Sequence, residues 1–400
     1  MTSSSINLGC FGQYNTACEG LKPSDPYSIT ISPSFPSGVP YHTGAVPDTD
    51  GAGPNRNICP NDGPFCKPMK KIYLPLLSVI LGLMMTACNA VWQDEPVCNQ
   101  GLSIRFIYSY NMEYANAFPS QVHCLTVLIY DEEGNYIRTV EEHDRALLSD
   151  ENWRMPVDLP EGRYRVVAYG GMACDDASFH FSPIPAPGGL YDRRDVELDA
   201  DCLTDPARRN LHPLFFGEAE ITEVGYNDAD YVPVTVSMMK DTNNLRILMH
   251  NSDNSPLDSS DFRFTLTDDN TLFSYDNSLL PSPTVTYLPW SQGDNSSLTT
   301  AEDDQAPYML WSEIATSRFI VNSRARLTIE QISTGRTVLS IPIVNYLLQY
   351  RSDNYSMIPP QEFLDRKSEW ELSLFLDSGD WTTVTISIRD WTVRINNIIM

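Results

Sequence analysis

The amino-acid sequence predicts an all-β protein whose ordered part is two tandem β-sandwiches. Three observations lead there. Short runs alternate apolar and polar residues from Leu102 to the C-terminus, the period of a strand with one buried face. Turn signals separate those runs every ~8 to 12 residues, the spacing of sandwich strands. The β-pattern also breaks at Met239 to Asn244 and restarts, dividing the chain into 101–240 and 241–400, each long enough to bury a core.

The elements follow in order. "LSIRFIYSY" from Leu102 is a strand. "HCLTVLIYDEEGNYIRTV" from His123 is the clearest hairpin: Leu125, Val127 and Ile129 alternate with Thr126, Leu128 and Tyr130, and Asp131 to Asn135 turns the chain. "VDLPEGRYRVVAYGG" repeats the logic around Pro160-Glu161-Gly162, and "YVPVTVSMM" places Val232, Val234 and Val236 on one face. Between them, Cys174 to Asp205 is rich in Pro and Asp and reads as loops. "LRILMHN" and "FRFTLTDD" open the second half, and Asn277 to Gln305 is polar and turn-rich. "RARLTIEQISTGRTVLSIPIV" is a hairpin across Ser333-Thr334-Gly335, Ile343 to Gln349 has a helical pattern, and strands around Asp377 to Asp380 lead to a final one.

Ahead of all this lies a different texture. Lys70 and Lys71 precede an uncharged apolar run, Ile72 to Met85, that ends in Thr86, Ala87 and Cys88. That layout is a secretory signal peptide over 69–87, because the run is shorter than the ~20 residues of a membrane span and carries a positive end. Residues 1–68, rich in Pro, Gly, Ser and Asn, read as a disordered leader upstream of a true start at Met69. Residues 88–100 then form a linker.

The net charge of −25 belongs to the part after Ala87. Before it, Glu19, Asp25, Asp48, Asp50 and Asp62 are balanced by Lys22, Arg56, Lys67, Lys70 and Lys71. So acidic a body repels phosphate backbones, which argues against a nucleic-acid partner. Besides Cys88, the exported part holds Cys98, Cys124, Cys174 and Cys202. In an exported protein these form up to two disulfides, with three connectivities open, or remain buried free thiols.

No catalytic motif stands out. There is no GxSxG, phosphate loop, HExxH or catalytic-cysteine signature. The histidines His123, His143, His180 and His212 are scattered, so neither a zinc site nor a His123–Cys124 nucleophilic pair is expected. The expectation is no enzyme, no cofactor and no metal. Asp131-Glu132-Glu133 and Asp268-Asp269-Asn270 lack calcium-loop spacing and read as solvated turns. Trp370, Trp381 and Trp391 fit strand packing better than a sugar-stacking platform.

Two resemblances add to these readings. Met85-Thr86-Ala87-Cys88 resembles the lipobox of bacterial lipoproteins, with Met85 where Leu is commonest; Cys88 would become the acylated N-terminus. Asn89 and Gln93-Asp94-Glu95 resemble the acidic tag of surface lipoproteins in Bacteroides-like bacteria. The order of that signal, "LTVLIYDEEGNYIRTV", "LPEGRYRVVAYGG", "FFGEAEIT", "VPVTVSMMKDTNNLRI" and the ending from Leu364 to Asn397 is similar to FimB-type anchor subunits of type V fimbriae. "SIRDW" at Ser387 to Trp391 departs from the family's "INGW". The resemblance implies two transthyretin-like sandwiches, a lipid-anchored structural subunit that holds a pilus to the outer membrane and limits its length, and β-strand complementation with a stalk subunit. We place that contact on the terminal strands, Leu102 to Tyr108 and Trp391 to Ile399, the alternative being that both are ordinary closed sandwich strands. A surface glycan-binding lipoprotein is the alternative, predicting an exposed platform from Trp381 and Trp391. A lipoprotein hydrolase is a third, predicting polar groups converging in a deep pocket.

Overall fold

The computed structural model describes residues 100–225, 231–295, 307–351 and 355–377, together with the strands 384–388 and 391–395. The signal segment, Cys88, Cys98 and Trp381 lie outside the described residues, as does the side chain of Trp391.

The first half forms strands β1 (Gly101–Ile107), β2 (Leu125–Asp131), β3 (Tyr136–Glu142), β4 (Met155–Asp158), β5 (Gly162–Gly170), β6 (Phe179–Ser182), β7 (Asp195–Leu198), β8 (Phe215–Val224) and β9 (Val232–Lys240). Seven of them make one sheet in the order β3-β2-β5-β8-β9-β1-β4. The β2–β3 hairpin forms where expected: Gly134 takes φ +84° and the Asn135 amide donates to Asp131 Oδ1 at 2.7 Å. Glycine suits that turn because it meets no Cβ clash at positive φ. Leu102, Ile104, Leu125, Val127, Val166, Ala168, Phe215 and Val236 share one core. A flat sheet cannot bury a face against itself, so this one folds over into the two layers of a sandwich.

Its other face is not left to solvent. Leu128, Tyr130, Val167, Tyr169 and Phe216 belong to a second core, under Phe179, Val196, Leu198 and Cys202. Every residue of β2 but Asp131 is therefore buried. Those covering residues come from the stretch expected to be loops. Cys174 to Asp205 in fact contains β6, β7 and a one-turn helix, Asp201–Thr204. Four-residue strands flanked by Pro and Asp carry little local signal; a partner from far along the chain completes them.

The second half forms β10 (Thr242–Asn251), β11 (Phe262–Asp268), β12 (Leu272–Phe273), β13 (Val285–Tyr287), β14 (Ser291–Asp294), β15 (Leu310–Ser317), β16 (Arg326–Gln331), β17 (Arg336–Pro342), β18 (Glu369–Leu376), β19 (Val384–Ile388) and β20 (Trp391–Ile395). A six-stranded sheet, β14-β15-β10-β18-β19-β20, and a four-stranded sheet, β13-β11-β16-β17, are both represented in the second core. Leu245, Ile247, Met249, Leu372 and Leu374 represent one sheet; Phe264, Leu266, Leu327, Ile329 and Ile341 represent the other. The helical pattern becomes Ile343–Leu347, prolonged as a tighter turn to Tyr350, and a helix at Pro360–Arg366 lies outside the sequence expectation.

Only Asp241 separates β9 from β10. The large sheets divide there, yet β12 pairs with β7 in a three-stranded sheet, β12-β7-β6, that joins both halves. Residues 99–400 form one compact unit.

Candidate subunit interface

A sheet offers a partner chain its unpaired edges, so the sheet order decides where assembly is physically available. β1 is closed over its first half. It lies between β9, parallel from Leu102–Val232 to Ile107–Ser237, and β4, antiparallel from Gly101–Asp158 to Ile104–Met155. Of Leu102 to Tyr108, expected to be an exchange strand, Leu102 to Ile104 is thus interior and Arg105 to Ile107 pairs with β9 alone among the described residues; Leu102, Ile104, Phe106 and Tyr108 are core residues. The other candidate is different. β20 pairs only with β19, from Val384–Ile395 to Ile388–Trp391, and ends the six-stranded sheet. Its far side carries no strand among the described residues. The rest of the expected segment, 396–399, lies outside them.

The outward face of that sheet carries a cavity of about 600 Å³ lined by Asn244, Arg246, Glu313, Lys367, Glu369 and Glu371. Arg246 Nε lies 3.7 Å from Glu313, and Lys240 Nζ lies 3.4 Å from Glu369. The lining is polar and of both signs, suited to hydrogen-bonding partners. Trp370 at its base is core: it is 2% exposed, edge-on to Tyr350 and Phe363, with its indole N–H donating to Asn243 Oδ1 at 3.0 Å.

Two buried carboxyl groups, Asp241 and Asp268, are pushed well above the usual carboxylate range, and neither lines this cavity. Burial pushes Asp241 up to about 7, opposed by nearby Arg318 and by the amide of Asn277, which donates at 3.0 Å. Burial likewise pushes Asp268 up to about 7, against the hydrogen bond from the Asp269 amide. The Asp268 stretch is therefore no solvated turn. Asp131, by contrast, has its carboxylate on the turn amide and side chain of Asn135.

Of the four candidate cysteines, Cys124 and Cys174 form a disulfide. Cys202 is a free, buried thiol rather than a bridge partner. Cys124, being oxidised, cannot act as a nucleophile with His123. No signal in the spacing distinguishes this connectivity.

The family model of the fimbrillin-A associated anchor proteins Mfa1 and Mfa2 matches residues 94–397. The chain belongs to this family. The match covers all the described residues, and the anchor resemblance read from the sequence holds, as does the all-β class. Among solved structures, a candidate adhesin of Bacteroides thetaiotaomicron is 46% identical, covering 74% of this chain and 98% of its own, with a TM-score of 0.66. A candidate polysaccharide-binding protein of the same organism is 25% identical, covering 74% and 97%, at 0.61. The fimbrial anchor protein Mfa2 of Porphyromonas gingivalis, 15% identical and covering 74% and 98% at 0.54, shares the fold. A search of curated proteins finds no match. The anchor family and its fold are those of structural fimbrial and adhesin proteins. Among the described residues no helix is long and apolar enough to cross a membrane.

Proposed function

We propose that this protein is the lipid-anchored subunit at the base of a cell-surface fimbria. The observation that carries the reading is the anchor-family match over 94–397, directly behind a segment with the layout of a lipoprotein signal. Cys88 is the acylation site, and two or more acyl chains hold the domain firmly to the outer membrane, each buried methylene contributing ~0.8 kcal/mol. The ordered part then works as two tandem sandwiches, 101–240 and 241–400. A stalk subunit joins by supplying a strand to the open edge of β20. An unpaired row of N–H and C=O groups is costly, and an added strand satisfies it. Because one end of the subunit is fixed in lipid, the stalk grows from one joint only and length is limited there.

The test has two arms. Intact mass and N-terminal analysis of protein extracted from outer membranes should find an acylated N-terminus at Cys88, lost together with pilus retention in Cys88→Ala. An unmodified N-terminus at Met1 in cytosolic protein would sink the lipoprotein reading. For the joint, proline is placed singly at Thr392 and Val393. Successive strand amides point to opposite sides, so one variant removes an N–H from the open edge and the other an N–H facing β19. The first should fold normally yet fail to retain the stalk subunit; if both retain it, the edge is not the joint.

A second reading is binding of a surface glycan. It is favoured by the polar cavity of about 600 Å³ and by the 25% identical candidate polysaccharide-binding relative. Loss of glycan retention in Arg246→Ala, with stalk binding intact, would favour it.

A further inference from the structure

Two of the histidines that look scattered in the sequence, His123 and His212, meet in the fold. The ligand atoms of Cys124, Cys174 and His212 all lie within 4.8 Å of one another. His123 adds a fourth group, its ring centroid 6.4 Å from that of His212. We propose that, once a dithiol has reduced the Cys124–Cys174 bond, these two cysteines with His212 and His123 hold a divalent cation of the zinc type.

The chemistry fits this donor set. Two thiolates and two imidazoles make a closed tetrahedral site, with metal–sulfur distances of ~2.3 Å and metal–nitrogen distances of ~2.0 to 2.1 Å. His212 Nδ1 lies 3.0 Å from Asp176 Oδ1, so Nε2 is the nitrogen the ring would offer a metal. A carboxylate behind an imidazole fixes the tautomer and raises the basicity of a metal-binding histidine. The backbone is arranged around the same point. The His212 amide donates to Ser178 Oγ at 2.8 Å, and the Gly171 amide to Cys124 O at 3.2 Å. Gly171 has φ +95°, and a Cβ there would stand 3.2 Å from His212 Cδ2 and 2.0 Å from the Pro213 carbonyl oxygen. Only glycine leaves the ring this close to the cysteines.

The conversion balances. The dithiol gives two electrons and two protons to the Cys124–Cys174 bond and becomes a disulfide itself, leaving two thiols. On binding the dication, each thiol releases its proton, so two thiolates neutralise the metal charge while both imidazoles stay neutral. The same two segments, the start of β2 and the loop after β5, are then tied by a metal instead of a covalent bond.

Cobalt(II) is the probe. The full chain is purified, reduced with dithiothreitol, freed of it under argon and titrated, with circular dichroism recorded in parallel. One equivalent should bind with intense tetrahedral visible bands and a thiolate charge-transfer band, and zinc should displace it. The oxidised protein should show neither band. His212→Ala should lose the tetrahedral spectrum while its oxidised form stays folded, and Asp176→Asn should weaken binding by roughly 10-fold or more. Cys202→Ser should change nothing. The proposal is overturned if the bands persist in Cys124→Ser, if oxidised protein binds equally, if no tetrahedral bands form, or if reduction alone unfolds the chain.

Discussion

Arg318 and Asp365 meet in a two-pronged ion pair, Nε to Oδ1 and Nη2 to Oδ2, both at 2.8 Å. The pair is almost dry, with side-chain exposures of 14% and 6%. Arg318 Nη1 also donates to the Asn277 carbonyl at 2.9 Å, and the Asn277 side chain reaches Asp241 at the junction between β9 and β10. One polar chain thus runs from the helix Pro360–Arg366 to the joint between the halves.

Breaking that pair on one side leaves a buried guanidinium without its counter-charge. Asp365→Asn should lower the unfolding free energy by roughly 3 to 5 kcal/mol, measured in urea. Replacing both partners, Arg318→Met with Asp365→Leu, should recover most of the loss. A single-variant loss below ~1 kcal/mol would mean that water screens the pair.

Asp241 sets a pH dependence of defined sign. Burial raises its folded pKa from 3.8 to about 7, so the folded chain binds a proton more tightly than the unfolded one. Its contribution to stability is fully present below pH 3.8 and is lost as pH rises through about 7. Asp268, also raised to about 7 with Oδ2 unpartnered, acts in the same direction. Urea midpoints between pH 4 and 8 should therefore flatten in Asp241→Asn/Asp268→Asn, with the gain over wild type largest at pH 8. An unchanged slope would show that both carboxyls titrate normally.

Arg194 clamps the β6–β7 insertion. It is 2% exposed and donates to the Tyr169 hydroxyl at 3.2 Å, the Tyr191 carbonyl at 2.7 Å and the Tyr275 carbonyl at 2.9 Å. Its guanidinium also lies 4.8 Å from the Tyr191 ring centroid. Arg194→Met should strand two carbonyls, each costing about 1 to 3 kcal/mol. Limited proteolysis should then cut between 174 and 205 faster than elsewhere. Uniform susceptibility would argue that Phe179, Val196 and Leu198 hold the insertion unaided.

The disulfide spans a sequence separation of 50. Loop-closure entropy over that length predicts that Cys124→Ser/Cys174→Ser costs about 4 kcal/mol in metal-free buffer. A shift under ~1 kcal/mol would mean that the native packing holds these segments without the bond.

The β2–β3 hairpin is legible because alternation, turn residues and return strand all fall between Leu125 and Glu142. What alternation cannot reveal is that both faces of β2 are covered: Leu128 and Tyr130 are as fully buried as Val127 and Ile129, which point the other way. A strand covered on one side and a strand covered on two can carry the same pattern until their neighbours are known. The insertion escapes a local reading for a related reason: β7 finds β12 at Leu272 and Phe273, far along the chain.

The sequence by itself determined what depends on a few consecutive residues. The Lys70-Lys71, apolar and Cys88 segment, the strand periods, the turns and the family signature are all of this kind, since backbone preferences and side-chain alternation act locally. The tertiary structure decided where an edge lies, closing the first half of β1 between β9 and β4 and, among the described residues, leaving β20 with β19 alone. It also paired Cys124 with Cys174, brought His123 to His212 and buried Asp241 beside Arg318. These are contacts between distant segments, selected by the packing of whole sheets and the exclusion of water, and no local window of residues contains them.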